Sequence, residues 1–208
     1  MTLDPSVWSG IFDFPPPARP RGTGQIVGMR LCNVAESDSD GGDAEITLLS
    51  LGYGDYCWQP GVNQATCDVG RRRQRALGNT GRRHRHVAPM RDCSCGFYAG
   101  TDVAKLHRVL GGPVDGHVVL CGVQAWGKYI VHDWGFRAQY ARIVAISDQL
   151  PSRVVRDVDG GVISVQARRG IERDVAAYLA EKYHATLTDL VGMASALRAY
   201  GDFLKEEQ

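Results

Sequence analysis

The chain has 208 residues, of which 44% are hydrophobic and 23% are charged, and its formal net charge is +1. This length and balance are typical of one large soluble globular domain, or of one domain with appendages, which can bury a core without disulfides. They exclude a chain that is drawn as a whole to nucleic acid or to a membrane by its net charge.

The N-terminal segment "MTLDPSVWSG" lacks the basic region followed by an apolar run that is typical of a signal peptide. The longest apolar stretches, such as "HVVLCGV", are too short to span a bilayer. We therefore expect a cytoplasmic protein with no membrane partner. Thiols stay reduced in that compartment, so the six cysteines are expected to be core residues or metal ligands.

Residues 1–24 are predicted to form an extended arm, because "FDFPPPARPRGTG" contains a proline run that cannot join a helix or a central strand. The next two segments, Gln25–Ala35 and Glu45–Tyr53, are rich in β-branched and apolar residues. They predict two strands that pair as a hairpin. Tyr56–Cys67 follows as a loop that contains a Pro-Gly pair.

Residues 68–86 form a basic segment with almost no apolar residues, and we predict an exposed loop. Its seven arginines are Arg71, Arg72, Arg73, Arg75, Arg82, Arg83 and Arg85. Arginine binds phosphate in a bidentate manner and stacks on bases, so this loop is a candidate site for nucleic acid or an acidic host protein. The alternative is a solvated loop without a partner, which is the usual role of a charge run.

An inserted helix is predicted over 101–111, where apolar residues recur at helical spacing. The strongest β signal follows, and glycine-containing turns divide it into three predicted strands: Val118–Trp126, Lys128–His132 and Phe136–Ile146. "RDVDGGVISVQ" predicts a further hairpin. Trp134, at a turn, is the best candidate for an exposed aromatic residue that could stack on a base.

Residues 167–208 are predicted to be helical, because apolar residues recur every three or four positions from Val175 to Leu197. "HATLTD" is predicted to separate two helices. The fold class is therefore α+β. We expect a small, mostly antiparallel β-barrel or strongly bent sheet within 25–166, with one inserted helix and the C-terminal helices packed on it.

Cysteine and histidine residues flank the arginine-rich loop and suggest a structural metal site. Zinc in such sites is held by four nitrogen or sulfur ligands in a closed tetrahedron. The best candidate set is Cys67, His86, Cys93 and Cys95, with Cys57 and His84 as spare candidates. A Cys-x-Cys pair needs a turn to chelate, and Gly96 permits one. The alternative is that these cysteines are small buried hydrophobic residues.

The sequence offers no convincing catalytic set. His132 and Asp133 are adjacent and would point to opposite faces of a strand, which is poor geometry for a dyad. The serines lack the context of a nucleophile elbow. We therefore assign no catalytic residue and favour a non-enzymatic role, with an enzyme that uses an open Cys/His metal centre as an alternative.

Four segments together resemble an uncharacterised protein family of actinobacteria and their phages: "IVGMRLCNV", "CWQPGVNQATC", "HVAPMRDCSCGFYA" and "VQAWGKYIVHDWGFRAQYARIVAI". The shared pattern is Trp-x-Pro-Gly…Cys, His-x-x-Pro, Cys-x-Cys-Gly-x-Tyr-Ala and Trp-Gly…Gly-x-Arg-x-x-Tyr-Ala, within Gln25–Ile146. The resemblance brings no known activity or cofactor, and it does not imply nucleic-acid binding by the arginine loop. It favours Cys67, His86, Cys93 and Cys95, which lie inside the motifs. By fold analogy alone, the β region is similar to SH3- or PUA-like barrels.

Two functional hypotheses follow for the whole chain. The first is a zinc-stabilised accessory or regulatory protein that binds nucleic acid or an acidic host protein through the basic loop. The second is a protein-interaction or assembly module that acts through the proline-rich arm and the C-terminal helices. The sequence leaves the oligomeric state open.

Overall fold

The structure is a computed structural model, and it describes residues 20–21, 24–37, 45–50, 56–67, 86–91, 93, 95–103, 106, 118–133, 135–156 and 162–204. The proline-rich arm up to residue 19 and the arginine-rich segment 68–85, which includes His84, lie outside the described residues, as does Trp134. What the sequence predicts for them stays a prediction.

The described part of the chain consists mainly of strands, and it also contains two helices near the C-terminus. The strands are β1 (Pro20–Arg21), β2 (Ile26–Ser37), β3 (Glu45–Ser50), β4 (Asn63–Gln64), β5 (Phe97–Gly100), β6 (Val118–His132), β7 (Gly135–Ser147), β8 (Gln149–Arg156), β9 (Val162–Arg169), β10 (Thr186–Thr188) and β11 (Asp202–Phe203). The helices are α1 (Arg173–Lys182) and α2 (Met193–Arg198). The backbone is also helical at Val103 and Leu106, within the predicted inserted helix. This composition confirms the α+β class.

Nine strands form one sheet around β2, β6 and β7. β6 pairs antiparallel with both β2 and β7, and the short β5 pairs antiparallel with the same two strands. The pairings β6–β2, β2–β5, β5–β7 and β7–β6 therefore run in a ring. β2 also pairs with β3, which confirms the first predicted hairpin, and β8 and β9 form a separate two-stranded sheet that confirms the later one.

β6 is one continuous strand, although the sequence predicts two strands divided near Gly127. Gly127 has a φ of +77° and lies at an irregularity between Trp126 and Tyr129 in the pairing of β6 with β7. A β-bulge adds a residue and bends a strand without ending it. The prediction of a turn is therefore wrong, because a glycine inside a strand pattern can mark a bulge.

Alternate residues of β2 belong to two different cores, as the two-residue period of a strand requires. The core that includes the buried residues of α2 contains Val27, Met29, Leu31, Met193 and Leu197. The other core contains Ile26, Cys32, Trp58, Phe97 and Phe136. Cys95 belongs to this second core, and Cys67 and Cys93 pack against it. Three of the candidate metal ligands are therefore anchored on a hydrophobic cluster.

The C-terminal end of α1 is tied to β3 and to the loop that leads to Cys67. The buried Tyr183 hydroxyl donates to the Trp58 carbonyl at 2.8 Å and accepts from the Leu48 amide at 3.1 Å. Burial raises the pKa of Tyr183, so the hydroxyl keeps its proton at neutral pH. The helix thereby fixes the start of the segment that carries the first candidate ligand.

The segment after α1 contains short strands that helical spacing did not predict. β10 pairs parallel with β7, and β11 pairs parallel with β2. Strands of two or three residues are too short to display the alternation that reveals a strand in a sequence. Among the described residues, none of the helices combines the length and the apolar character that a membrane span requires.

Candidate metal centre

The best candidate ligand set from the sequence comes together in space. The ligand atoms of Cys67, His86, Cys93 and Cys95 all lie within 4.8 Å of one another. Cys67 Sγ is 3.5 Å from Cys93 Sγ, and His86 Nε2 is 3.2 Å from Cys95 Sγ. These four residues form a cluster that could hold a metal ion.

The separations in the Cys67/His86/Cys93/Cys95 cluster fit tetrahedral coordination. With metal–sulfur bonds of about 2.3 Å and metal–nitrogen bonds of about 2.0 Å, the ligand atoms of a tetrahedron lie roughly 3.5–3.8 Å apart. The separations of 3.5 Å and 3.2 Å are close to these values, and the upper limit of 4.8 Å exceeds them by about 1 Å. Three sulfur donors and one imidazole suit zinc or another metal with an affinity for thiolates, whereas magnesium and calcium prefer oxygen.

No disulfide joins any of the six cysteines, all of which lie among the described residues. The 3.5 Å between the sulfur atoms of Cys67 and Cys93 is far longer than the disulfide bond length of about 2.05 Å. Cys32 and Cys121 are fully buried in the core, where the hydrophobic interpretation applies. The spare candidate Cys57 is not part of the cluster, and its Sγ lies 3.3 Å from Thr47 Oγ1.

Asn63 organises the loop that delivers Cys67. Its side chain is 2% exposed, and its Oδ1 accepts hydrogen bonds from the Gln59 amide at 2.8 Å and the Tyr56 hydroxyl at 3.0 Å. Its Nδ2 donates to the carbonyls of Gln59 and Gly61. Asn63 also pairs with β7, so the loop is held against the sheet four residues before Cys67. Sequence reasoning missed this residue, although a Pro-Gly loop that contains asparagine is a recognisable turn signal.

A turn brings Cys93 and Cys95 to the same site. The Cys93 amide donates to the Met90 carbonyl at 3.1 Å, and Gly96 has a φ of +124°. That value lies in the region where glycine is favoured, because a Cβ atom would be strained there. The prediction that Gly96 permits a tight turn is confirmed.

The electrostatic environment of Cys95 favours the thiol when no cation is present. Burial, with smaller contributions from the neighbouring Cys93 and Cys67, raises the pKa of Cys95 to about 12. A bound metal ion reverses this preference, because a coordinating thiol is deprotonated by the cation. A bound metal ion would therefore hold Cys95 as a thiolate.

Replacement of Gly96 by alanine is expected to destabilise the protein by about 1–3 kcal/mol, since the backbone is strained for any other residue. A Cβ at Gly96 would also lie 3.1 Å from Pro89 Cβ and 3.2 Å from Arg137 Cβ. Urea unfolding of the metal-free protein measures the effect. Gly61→Ala shares a positive φ but has nothing within 4 Å, and Gly24→Ala has open space, so they are matched controls. Equal changes for Gly96→Ala and Gly24→Ala would contradict the assignment.

Arg137 is a second residue to which sequence reasoning assigned no role, although it is the arginine of the Gly-x-Arg-x-x-Tyr-Ala motif. It lies on β7, is 3% exposed and donates to the Cys95 carbonyl at 3.4 Å and to the Arg91 carbonyl at 3.2 Å. It therefore holds both ends of the turn that carries Cys93 and Cys95. An arginine inside a mostly apolar strand is the available signal, since arginine is rarely buried without partners.

No protein-family model, curated protein or solved structure matches this chain. The four-residue cluster and the charge of residues 68–85, which lie between Cys67 and His86 in the sequence, are therefore the features that indicate a function. The family resemblance drawn from the sequence stays a prediction.

Proposed function

We propose that this protein is a non-enzymatic accessory or regulatory protein of phage or actinobacterial origin that binds nucleic acid through an arginine-rich loop closed by structural zinc. One observation carries the proposal: the ligand atoms of Cys67, His86, Cys93 and Cys95 converge within 4.8 Å. Cys67 directly precedes residues 68–85, and His86 directly follows them. The basic segment therefore lies in the sequence between two of the four candidate ligands.

Zinc is favoured by the donor set and by the number of donors. Four protein ligands fill a tetrahedral coordination shell, so no position is left for a water molecule or a substrate. This is the arrangement of structural zinc, whereas a catalytic zinc keeps one position open. The donor count therefore weighs against the alternative of a metal-dependent enzyme.

The charge of the arginine-rich segment supports a polyanionic partner. Residues 71–85 contain seven arginines and no aspartate or glutamate. Since the whole chain carries +1 and these arginines carry +7, the rest of the chain carries −6. Contacts with phosphate groups would therefore be concentrated in this segment. A metal that fixes both ends of the loop lowers the entropy that binding must remove.

The proposed scaffold of the loop is a small barrel formed by the ring of β2, β5, β7 and β6. β5 begins two residues after Cys95 and pairs on both sides, with β2 and β7. Phe97, Phe136 and Trp58 belong to one buried cluster, which would fill the interior of the barrel. A closed, packed barrel would give the metal site a rigid base.

The assembly-module alternative has less support. Pro20–Arg21, at the end of the arm, pairs with Tyr129 and Ile130 of the same chain. Buried residues of α1 and α2 belong to the chain's own two cores. The described end of the arm and the buried faces of the two helices are therefore occupied within one chain.

Binding of the full chain to nucleic acid is expected to weaken steeply with salt. Each neutralised phosphate contributes a slope of about −0.9 for duplex DNA in a plot of log affinity against log salt, so seven arginines give at most about −6. Fluorescence anisotropy with a labelled oligonucleotide between 50 and 200 mM salt, about a fourfold range, measures the slope.

Two variants separate charge from other effects of the arginine-rich segment. Replacement of all seven arginines by glutamine should abolish the salt-dependent binding, whereas replacement by lysine should retain most of the slope. Salt-insensitive binding, or no binding, would contradict a nucleic-acid partner. Salt-sensitive binding to an acidic protein in its place would favour the host-protein version.

A further inference from the structure

Arg137 carries a buried positive charge whose described partners are all neutral. Its Nε donates to His132 Nε2 at 3.1 Å, and its Nη atoms donate to the carbonyls of Cys95 and Arg91. Its Cζ lies 5.9 Å from the centre of the Tyr98 ring. In the described part of the chain, no carboxylate pairs with it. A buried charge without an opposite charge is costly, so a compensating anion is expected close by.

The metal-loaded cluster would be that anion. Zinc contributes two positive charges, three cysteine thiolates contribute three negative charges, and the histidine is neutral, which leaves a net charge of −1. We propose that Arg137 is the countercharge of the loaded site and a positioning residue that sets its zinc affinity. This inference rests on the proposed zinc site.

The backbone geometry places Arg137 directly against the ligand-bearing turn. Its Nη1 is 3.4 Å from the carbonyl oxygen of Cys95, and its Nη2 is 3.2 Å from the carbonyl oxygen of Arg91. A Cβ on Gly96 would lie 3.2 Å from its Cβ. The guanidinium thus orients the turn by hydrogen bonds, and its charge acts on the thiolates from within the same low-dielectric region.

Other arginines in the core do not share this position. Arg142 lies on the same strand, but its Nε donates to Gln124 Oε1 at 2.7 Å. Arg30 lies with its Cζ 4.9 Å from the Trp58 ring centre. Arg142 is therefore a matched control, because it is a β7 arginine with a hydrogen-bonded guanidinium and no described contact with the ligand-bearing turn.

The test measures zinc affinity of full-length variants by competition with a chromophoric chelator. Arg137→Gln is expected to weaken zinc binding by about 10- to 100-fold, the usual range for residues that support metal ligands. Arg137→Lys keeps the charge and should lose less than about 10-fold. Arg142→Gln should leave the affinity unchanged.

A change in the charge of the site distinguishes a countercharge from a purely structural residue. Cys67→His replaces one thiolate by imidazole and makes the loaded site neutral. In that background Arg137→Gln should weaken zinc binding by a clearly smaller factor than in the wild type. Equal factors in the two backgrounds would overturn the countercharge assignment.

The outcomes also separate this inference from the proposed function. Wild-type protein that binds zinc with the same affinity as Arg137→Gln overturns the inference alone, and wild-type protein that binds no zinc overturns both. If Arg137→Gln does not fold, the zinc affinity of Arg137→Lys tests the assignment. A 10-fold or greater loss of zinc affinity in this variant, which retains the charge, contradicts the assignment.

Discussion

Purified protein is expected to contain about one zinc ion per chain, and the Cys93→Ser/Cys95→Ser variant is expected to contain none. The variant removes two of the four donors that lie within 4.8 Å of one another, and two remaining protein ligands cannot close a tetrahedron. Native mass spectrometry, or elemental analysis by mass spectrometry, measures the content. Cys57→Ser is the matched control, because Cys57 is not part of the cluster and should leave the zinc content unchanged.

Removal of the metal is also expected to lower the stability of the wild type. A ligand at about 1,000 times its Kd stabilises the native state by about 4 kcal/mol, which corresponds to a Tm change of about 8–16 °C for a chain of this size. Chelation should therefore lower the Tm of the wild type and of Cys57→Ser but not that of Cys93→Ser/Cys95→Ser. A wild-type protein that is stable without metal would contradict the metal site and would indicate that these cysteines are core residues.

Replacement of Trp58 by alanine is expected to lower the free energy of unfolding by about 3–5 kcal/mol. The side chain is fully buried, and its ring centre lies 4.8 Å from that of Phe97 and 5.9 Å from that of Tyr56. Its Nε1 donates to Ser50 Oγ at 3.1 Å, so the substitution also leaves a hydroxyl without its partner. Since small domains are stable by about 5–15 kcal/mol, this is a large fraction of the total.

A second tryptophan provides the control for Trp58. Trp126 is only half-buried and stacks on Tyr140 with ring centres 6.1 Å apart, so Trp126→Ala should cost roughly 1 kcal/mol. Urea unfolding in excess chelator compares the free energies of unfolding of the two variants in the absence of metal. Equal losses for the two substitutions would contradict the position of Trp58 at the centre of the core.

The ligand set could be predicted because its members are chemically distinctive and three of them, His86, Cys93 and Cys95, are close in the chain. Cys93 and Cys95 are separated by one residue, and Gly96 supplies the turn that they need. The sequence could not exclude Cys57 as a metal ligand. The direction of its side chain depends on its contact with Thr47 and on its backbone bridge to Leu49 of β3. That contact joins segments whose approach no local pattern reveals.

Among the strands, too, some could be predicted from the sequence and others could not. The β-branched and apolar residues of β2 and β3 were sufficient to predict their hairpin, because pairing across a short connection is a local event. The bulge at Gly127 and the parallel strands β10 and β11 were not predictable, because a single glycine and two- or three-residue segments carry no period.

The sequence by itself determined the α+β class and the candidate ligand set, because strand periodicity and ligand chemistry are properties of short segments. Only the tertiary structure decided that the four ligand atoms converge and that Arg137 is buried against the turn that carries two of them. Both depend on contacts between β7 and segments far away in the chain. The energetic balance of such contacts is set by burial, which the order of residues alone does not state.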